Sequence, residues 1–116
     1  MPKLRNYLRA YRKRAGFSQA ELAFLLGCRS GSKTSRYERF DREPSLKTAF
    51  AYEVVFSASA KELFGDVFHQ VERKTRKQGQ LLLRRLSNGE QDRATIRKIA
   101  ALRALISLAA TDPDII

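Results

Sequence analysis

Five side chains between Ser32 and Arg39 have the chemistry to bind a polyanion through hydrogen bonds. On a helical wheel drawn from this segment, the residues on the polar side are Ser32, Ser35, Arg36 and Arg39, with Lys33 at its flank. Thr34, Tyr37 and Glu38 fall on the opposite side. Because arginine can form two hydrogen bonds with guanine and serine can contact bases or phosphates, the polar side is suited to duplex DNA. The pattern predicts a helix with one DNA-binding face and one packed face.

Catalytic and metal-binding patterns are missing from the sequence. One cysteine and one histidine are too few for a Cys/His zinc site. The chain also offers no Ser/His/Asp set and no glycine-rich loop of the kind that cradles phosphates. We therefore expect a protein that is not an enzyme and that binds no metal or cofactor.

The composition points to the same class of partner. The 116 residues include 23 Lys or Arg and 12 Asp or Glu, which gives a formal net charge of +11. Such a chain should seek polyanions, either nucleic acid or an anionic membrane surface. The basic residues do not line a helix whose opposite face is strongly apolar and free to insert, which disfavours the membrane. Since the start of the chain has no apolar signal core and no apolar run approaches the roughly 20 residues of a membrane span, we expect a cytoplasmic protein.

The first 64 residues predict five helices. The first carries an apolar stripe ended by Gly16, and the second follows a capping box formed by Ser18 and Glu21. The third is the short segment with the polar face. The fourth opens at Pro44 and Ser45, with an apolar side made of Leu46, Ala49, Phe50 and Val54. The fifth follows a Ser59–Glu62 capping pair. The aromatic residues expected in the core are Tyr7, Tyr11, Phe17, Phe24 and Phe50.

The remaining residues, 65–116, predict a helical hairpin. Its first helix has an apolar stripe made of Val67, Phe68, Val71, Thr75, Gln78, Leu82 and Leu86, and the turn is Ser87 to Gly89. The second stripe consists of Ile96, Ile99, Leu102, Ile106 and Ala109. Two such stripes exceed what the two helices can bury against each other, leaving Leu81 or Leu83 uncovered for a dimer contact. The basic run from Arg73 to Lys77 is interpreted as solvated surface, with phosphate contact as the alternative.

Two short helices joined by a tight glycine-containing turn are the layout of a helix-turn-helix, whose second helix enters the DNA major groove. From about Leu4 to Phe64 the sequence resembles the phage-repressor and Cro type of helix-turn-helix domain, also called Xre-like. The motifs that carry the resemblance are Leu8, Arg12, Gly16-Phe17-Ser18-Gln19, Glu21-Leu22-Ala23, Leu26-Gly27, Ser35-Arg36-Tyr37-Glu38, Pro44-Ser45-Leu46 and Glu62-Leu63-Phe64.

The resemblance implies an all-α, five-helix lambda-repressor-like domain in residues 1–64, here followed by the helical hairpin as an extension. It also implies two roles for single residues. Gln19, which opens the second helix, would touch a DNA phosphate and steady the recognition helix. Arg12 of the first helix would form a structural ion pair with Glu38 at the end of the third.

Three positions depart from the family pattern. The turn after Gly27 is one residue longer than usual, so the third helix could begin at Ser30, Gly31 or Ser32. Thr34 stands where an isoleucine or valine normally packs. Phe40 replaces the usual glycine, and we expect that corner to be shaped differently.

The function expected from these patterns is a sequence-specific regulator of transcription that binds double-stranded DNA, acting as a dimeric repressor in a bacterium or phage. The residues predicted to contact DNA are Gln19, Ser32, Lys33, Ser35, Arg36 and Arg39. The alternative is an antitoxin-like or regulatory protein-interaction module, in which the hairpin grips a protein partner and DNA binding is secondary.

Overall fold

The computed structural model describes the backbone of residues 4–110 and the side chains of residues 4–107. Within this range the structure has seven helices and no strand, so the prediction of an all-α protein is confirmed. The helices are α1 (Leu8–Ala15), α2 (Gln19–Leu25), α3 (Ser32–Glu38), α4 (Leu46–Phe56), α5 (Ala60–Leu63), α6 (Gly65–Ser87) and α7 (Arg93–Ala110). No helix in the described range is both long enough and apolar enough to cross a membrane.

The chain divides into two compact units, Met1–His69 and Gln70–Ile116. Helix α6 begins in the first unit and continues into the second. Residues 111–116 of the predicted extension lie outside the described range, as does the side chain of Ala109.

One buried residue from each of the first five helices builds the core of the first unit. These residues are Leu8, Leu22, Tyr37, Tyr52 and Leu63. Tyr52 lies at the centre, with ring centroids 6.3 Å from Tyr37, 6.0 Å from Phe56 and 6.1 Å from Phe64. Because each helix anchors the same small cluster, the positions of α1, α2 and α3 are mutually fixed.

The Tyr52 hydroxyl is buried and has no hydrogen-bond partner in the described structure. Burial disfavours the phenolate and raises the pKa of Tyr52 well above its ordinary value. Since an unpaired buried hydroxyl costs free energy, we expect Tyr52→Phe to raise the free energy of unfolding by about 1 kcal/mol. Urea titration of the two proteins measures this difference, and a loss of stability in Tyr52→Phe would contradict it.

Thr34→Val repeats that test at a second position. The Thr34 hydroxyl is also buried without a hydrogen-bond partner. Valine keeps the shape of threonine and removes the polar atom. We therefore expect Thr34→Val also to raise the free energy of unfolding, which the same urea titration measures.

Helix α4 packs with a different side than the sequence predicted. Leu46, Phe50 and Val54 are exposed, at 70%, 52% and 81%. Tyr52 is the buried residue of the helix, and Val55 and Phe56 pack against the core. Apolar residues occupy most sides of α4, so the spacing of its apolar residues did not identify the buried side.

The expected set of core aromatic residues is also partly wrong. Phe24 is 82% exposed, and Tyr7 and Phe50 are exposed as well, whereas Tyr11 and Phe17 are half-buried. Helix α2 has only two turns, and Leu22 and Ala23 fill its buried side. Phe24 is therefore left on the outside.

Helices α1, α2 and α3 end in the same way, with a residue in the left-handed conformation. Two of these residues are glycines, Gly16 with φ 85° and Gly27 with φ 76°. At the end of α3 the residue is Phe40, with φ 65°. Its N–H donates to the Tyr37 carbonyl (3.1 Å), and the Asp41 N–H donates to the Arg36 carbonyl (2.9 Å), which is the Schellman pattern. The corner thus keeps the turn that glycine favours, contrary to our expectation, because two backbone hydrogen bonds hold it.

In the second unit, α6 and α7 approach closely at Gly79. A Cβ atom on Gly79 would lie 3.1 Å from Leu105 Cδ2. Arg76 Nε donates to the Leu105 carbonyl (3.1 Å), and Arg76 Nη1 lies 2.9 Å from Glu72 Oε1. A small residue on α6 and a hydrogen bond from Arg76 to the α7 backbone therefore contribute to the contact between these helices, and Glu72 pairs with Arg76 within α6.

Most of the predicted stripe on α6 lies off the side that packs on α7. Phe68, Val71, Thr75, Gln78 and Leu82 are exposed, whereas Val67 and Leu86 are half-buried. Leu81 is exposed and Leu83 is half-buried. Of residues 70–107, only Gly79, Thr95 and Ile99 are buried. The hydrophobic spacing on α6 therefore identified a mostly exposed side. It did not identify the packed side, because that side contains a glycine and charged residues.

Candidate nucleic-acid interface

The turn between α2 and α3 fixes where the recognition segment begins. Of the three possible starts, Ser32 is the first helical residue, and the Ser35 N–H donates to the Gly31 carbonyl (2.9 Å). A Cβ on Gly31 would lie 3.4 Å from backbone atoms of Gln19 and Ala20. The turn therefore lies directly against the start of α2.

Helix α3 has one buried side and one exposed side. Thr34, Tyr37 and Glu38 are buried. The exposed residues of the helix and its C-terminal end are Ser32, Lys33, Arg36 and Arg39, and Ser35 is half-buried. The three cations of this set are therefore presented to solvent on a short helix whose other side is anchored in the core.

A buried ion pair holds the C-terminal end of α3 against α1. Arg12 Nε donates to Glu38 Oε2 (2.6 Å), and Arg12 Nη2 donates to Glu38 Oε1 (3.0 Å). The side chains of Arg12 and Glu38 are 11% and 2% exposed. The hydrogen bond to Glu38 raises the pKa of Arg12 above its ordinary value, so both hydrogen bonds are charge-assisted. The remaining Arg12 contact is from Nη1 to the Phe17 carbonyl (2.9 Å).

Gln19 joins this ion pair to the first turn of α2. Its Nε2 donates to Glu38 Oε1 (3.2 Å), and the residue is half-buried. An amide nitrogen carries two hydrogens, so one N–H bond to Glu38 leaves a second for another acceptor. Gln19 thus contacts α3 in the structure, and its contact with a DNA phosphate stays a prediction.

The N-terminal side of α2 is fixed by the predicted capping box. The Glu21 N–H donates to Ser18 Oγ (3.0 Å), and the Ser18 N–H donates to Glu21 Oε1 (2.8 Å). The hydrogen bond from the Ser18 backbone is the main reason that the pKa of Glu21 is lowered. The cap sets the residue at which α2 begins, and hence the position of Gln19.

The two short helices α2 and α3 and the turn between them have the helix-turn-helix layout and lie together in the first unit. Residues 3–50 match a helix-turn-helix domain. The match supports a helix-turn-helix DNA-binding family and indicates a DNA-binding regulator. No curated protein and no solved structure matches the chain.

The matched helix-turn-helix domain covers α1, α2, α3 and the first five residues of α4. It therefore includes every residue that we predict to contact DNA, as well as Arg12 and Glu38. Within it, Arg39 Nε lies 3.6 Å from Asp41 Oδ2 on the surface. A surface ion pair of this kind contributes at most about 1 kcal/mol, so a phosphate can compete for Arg39.

Asn6 is a structural residue of the helix-turn-helix domain that the sequence patterns did not identify. Its Nδ2 donates to the Tyr37 carbonyl (2.8 Å), and its Oδ1 accepts from the Leu8 N–H (3.1 Å). Asn6 thus connects the start of α1 to α3. Asparagine often accepts a hydrogen bond from the backbone N–H two residues further on, in an Asx-turn, and this was the available signal.

Proposed function

We propose that this protein is a sequence-specific regulator of transcription that binds double-stranded DNA, with a helix-turn-helix domain of the phage-repressor and Cro type. The observation that carries the proposal is the division of α3 into two sides. Glu38 and Tyr37 anchor one side in the core, and Arg36 and Lys33 are exposed on the other. An anchored helix with an exposed polar side can read the major groove without rearranging.

The experiment that tests this function is selection of bound sites from random duplex DNA. A consensus of defined length, bound more tightly than scrambled duplex by at least about 1000-fold, is the expected result for a specific regulator. Enrichment of no sequence would contradict the proposal.

We also propose that the protein acts as a repressor and has no catalytic activity. Its place of action would be the bacterial cytoplasm or nucleoid, where the DNA lies.

We further propose that the protein is a homodimer formed through the second unit. Val71 and Leu82 are exposed on one stripe of α6. A two-helix unit with few buried residues is marginal by itself, so covering this stripe with a second copy would stabilise it. A two-fold dimer would require an approximately palindromic operator with half-sites about 34 Å apart.

The dimer is tested by comparing Leu82→Ser with Phe50→Ser. The two side chains have similar exposure, 42% and 52%, and both belong to apolar stripes. We expect Leu82→Ser to weaken dimerisation by at least about tenfold, since it places a polar group in the interface, while Phe50→Ser leaves it unchanged. Sedimentation equilibrium at micromolar concentration measures both. Dissociation by Phe50→Ser alone would contradict the α6 interface.

The exposed stripe of Leu46, Phe50 and Val54 on α4 favours one alternative, a protein-interaction module of the antitoxin type. In that case a protein partner would bind the chain and DNA binding would be secondary. Binding of such a partner that Phe50→Ser weakens, together with weak and unspecific DNA binding, would support this alternative.

A further inference from the structure

Helix α6 carries a cationic face that the proposed recognition of DNA by α3 does not use. Arg73, Lys77 and Arg84 fall within roughly 40° of one another on a helical wheel, and all three are exposed. Lys74 and Arg85 are exposed as well, but they lie roughly 80° and 100° around the helix from the centre of this face. At 1.5 Å per residue, the three central cations extend over about 16 Å of the helix.

This face is separate from the other two faces of α6. Gly79 and Arg76 lie on the side that contacts α7. The exposed apolar stripe of Val71 and Leu82 lies roughly 140° around the helix from Arg73, Lys77 and Arg84. Packing on α7 and the proposed dimer contact therefore leave the cationic face accessible.

The second unit carries a net positive charge. Residues 70–116 contain ten Lys or Arg and five Asp or Glu. Of the five acidic residues, Glu72 is ion-paired with Arg76, and Asp92 caps α7 by accepting from the Thr95 N–H (2.8 Å). Both of these acidic groups therefore have a partner within four residues of the chain.

We propose that Arg73, Lys77 and Arg84 form a phosphate-binding face that contacts the backbone of duplex DNA without reading its sequence. The inference rests on the proposed function, because the helix-turn-helix domain of the same chain supplies the duplex. Each DNA strand offers a phosphate per about 3.4 Å of helix axis, so a 16 Å row of cations can reach several phosphates. Point charges are sufficient for this contact, which agrees with a mixture of lysine and arginine.

The test uses the full-length chain with Arg73, Lys77 and Arg84 replaced together by glutamine, which keeps helix propensity while removing three charges. The affinity for one duplex is measured from 50 to 200 mM salt. Loss of three phosphate contacts should lower the salt slope by about 2.7 per protomer, so that the wild type loses about 40-fold more affinity than the variant over this range.

The matched control replaces Arg93, Arg97 and Lys98 of α7 by glutamine. These three residues are also exposed and belong to the same unit. The net charge changes equally, but we expect the salt slope to fall by less than about one. Equal reductions in both variants would overturn the proposal, because net charge would then explain the effect. An unchanged slope in the α6 variant would overturn it as well.

Two further measurements separate phosphate contacts from sequence reading, and DNA from a lipid surface as the ligand of the α6 face. The ratio of affinities for a selected site and a scrambled duplex should be the same in the α6 variant and the wild type. If the wild type prefers no sequence, the proposed function fails, while the salt slopes on random duplex still decide whether the α6 face binds phosphate. Salt-dependent binding to phosphatidylserine vesicles that the α6 variant loses, with an unchanged slope on DNA, would overturn the proposal in favour of a lipid surface.

Discussion

Replacing Glu38 by alanine should destabilise the first unit by about 3 kcal/mol, because the change leaves the buried Arg12 guanidinium without its carboxylate. Arg12 would keep one contact, to the Phe17 carbonyl, and Gln19 would lose its contact with α3. For a domain of this size, 3 kcal/mol corresponds to a melting temperature lowered by roughly 12 to 24 °C. Thermal unfolding followed by circular dichroism measures the change.

Two variants separate the ion pair from the simple loss of a glutamate. Glu43→Ala removes an exposed glutamate and should change stability by no more than about 0.5 kcal/mol. Replacing Arg12 by methionine and Glu38 by leucine removes both charges, and should recover much of the stability lost in Glu38→Ala. An unchanged melting temperature of Glu38→Ala would show that the pair does not hold α3 to α1.

The buried side of α3 could be predicted from sequence because the helix is short and clearly amphipathic. Only Thr34, Tyr37 and Glu38 lie on its packed side, and the polar side contains no large apolar residue that competes with it. The start of the helix could not be fixed in this way. The start of α3 depends on the contact between Gly31 and α2. The hydrophobic periodicity of α3 contains no information about that contact.

The same reasoning failed where apolar residues occupy more than one side of a helix. In α4 the spacing of Leu46, Phe50 and Val54 is as regular as that of the packed residues, and only the position of Tyr52 in the core decides between them. In α6 the packed side contains Gly79 and the Glu72–Arg76 ion pair, which a hydrophobic pattern does not recognise. The conformation of Phe40 is likewise set by backbone hydrogen bonds, not by its side chain.

Arg36 is the residue most suited to reading a base, because its neighbours fix its position. The next two residues, Tyr37 and Glu38, are buried, so the register of Arg36 on α3 does not depend on the long turn. Its side chain is exposed, as a base contact requires. Lys33 and Arg39 lie nearer the two ends of the exposed side, where contacts with phosphates are expected.

Arg36→Ala should therefore weaken binding to the selected site by about 1 to 3 kcal/mol and relax the preference at one base pair. Lys33→Ala and Arg39→Ala are the matched controls, since each removes one exposed cation from the same helix region. They should weaken binding to all sequences alike and lower the salt slope by about one unit. Titrations against the selected site and a scrambled duplex measure both effects. Because a base contact contributes only with the correct base, an unchanged ratio of the two affinities in Arg36→Ala would show that Arg36 does not read sequence.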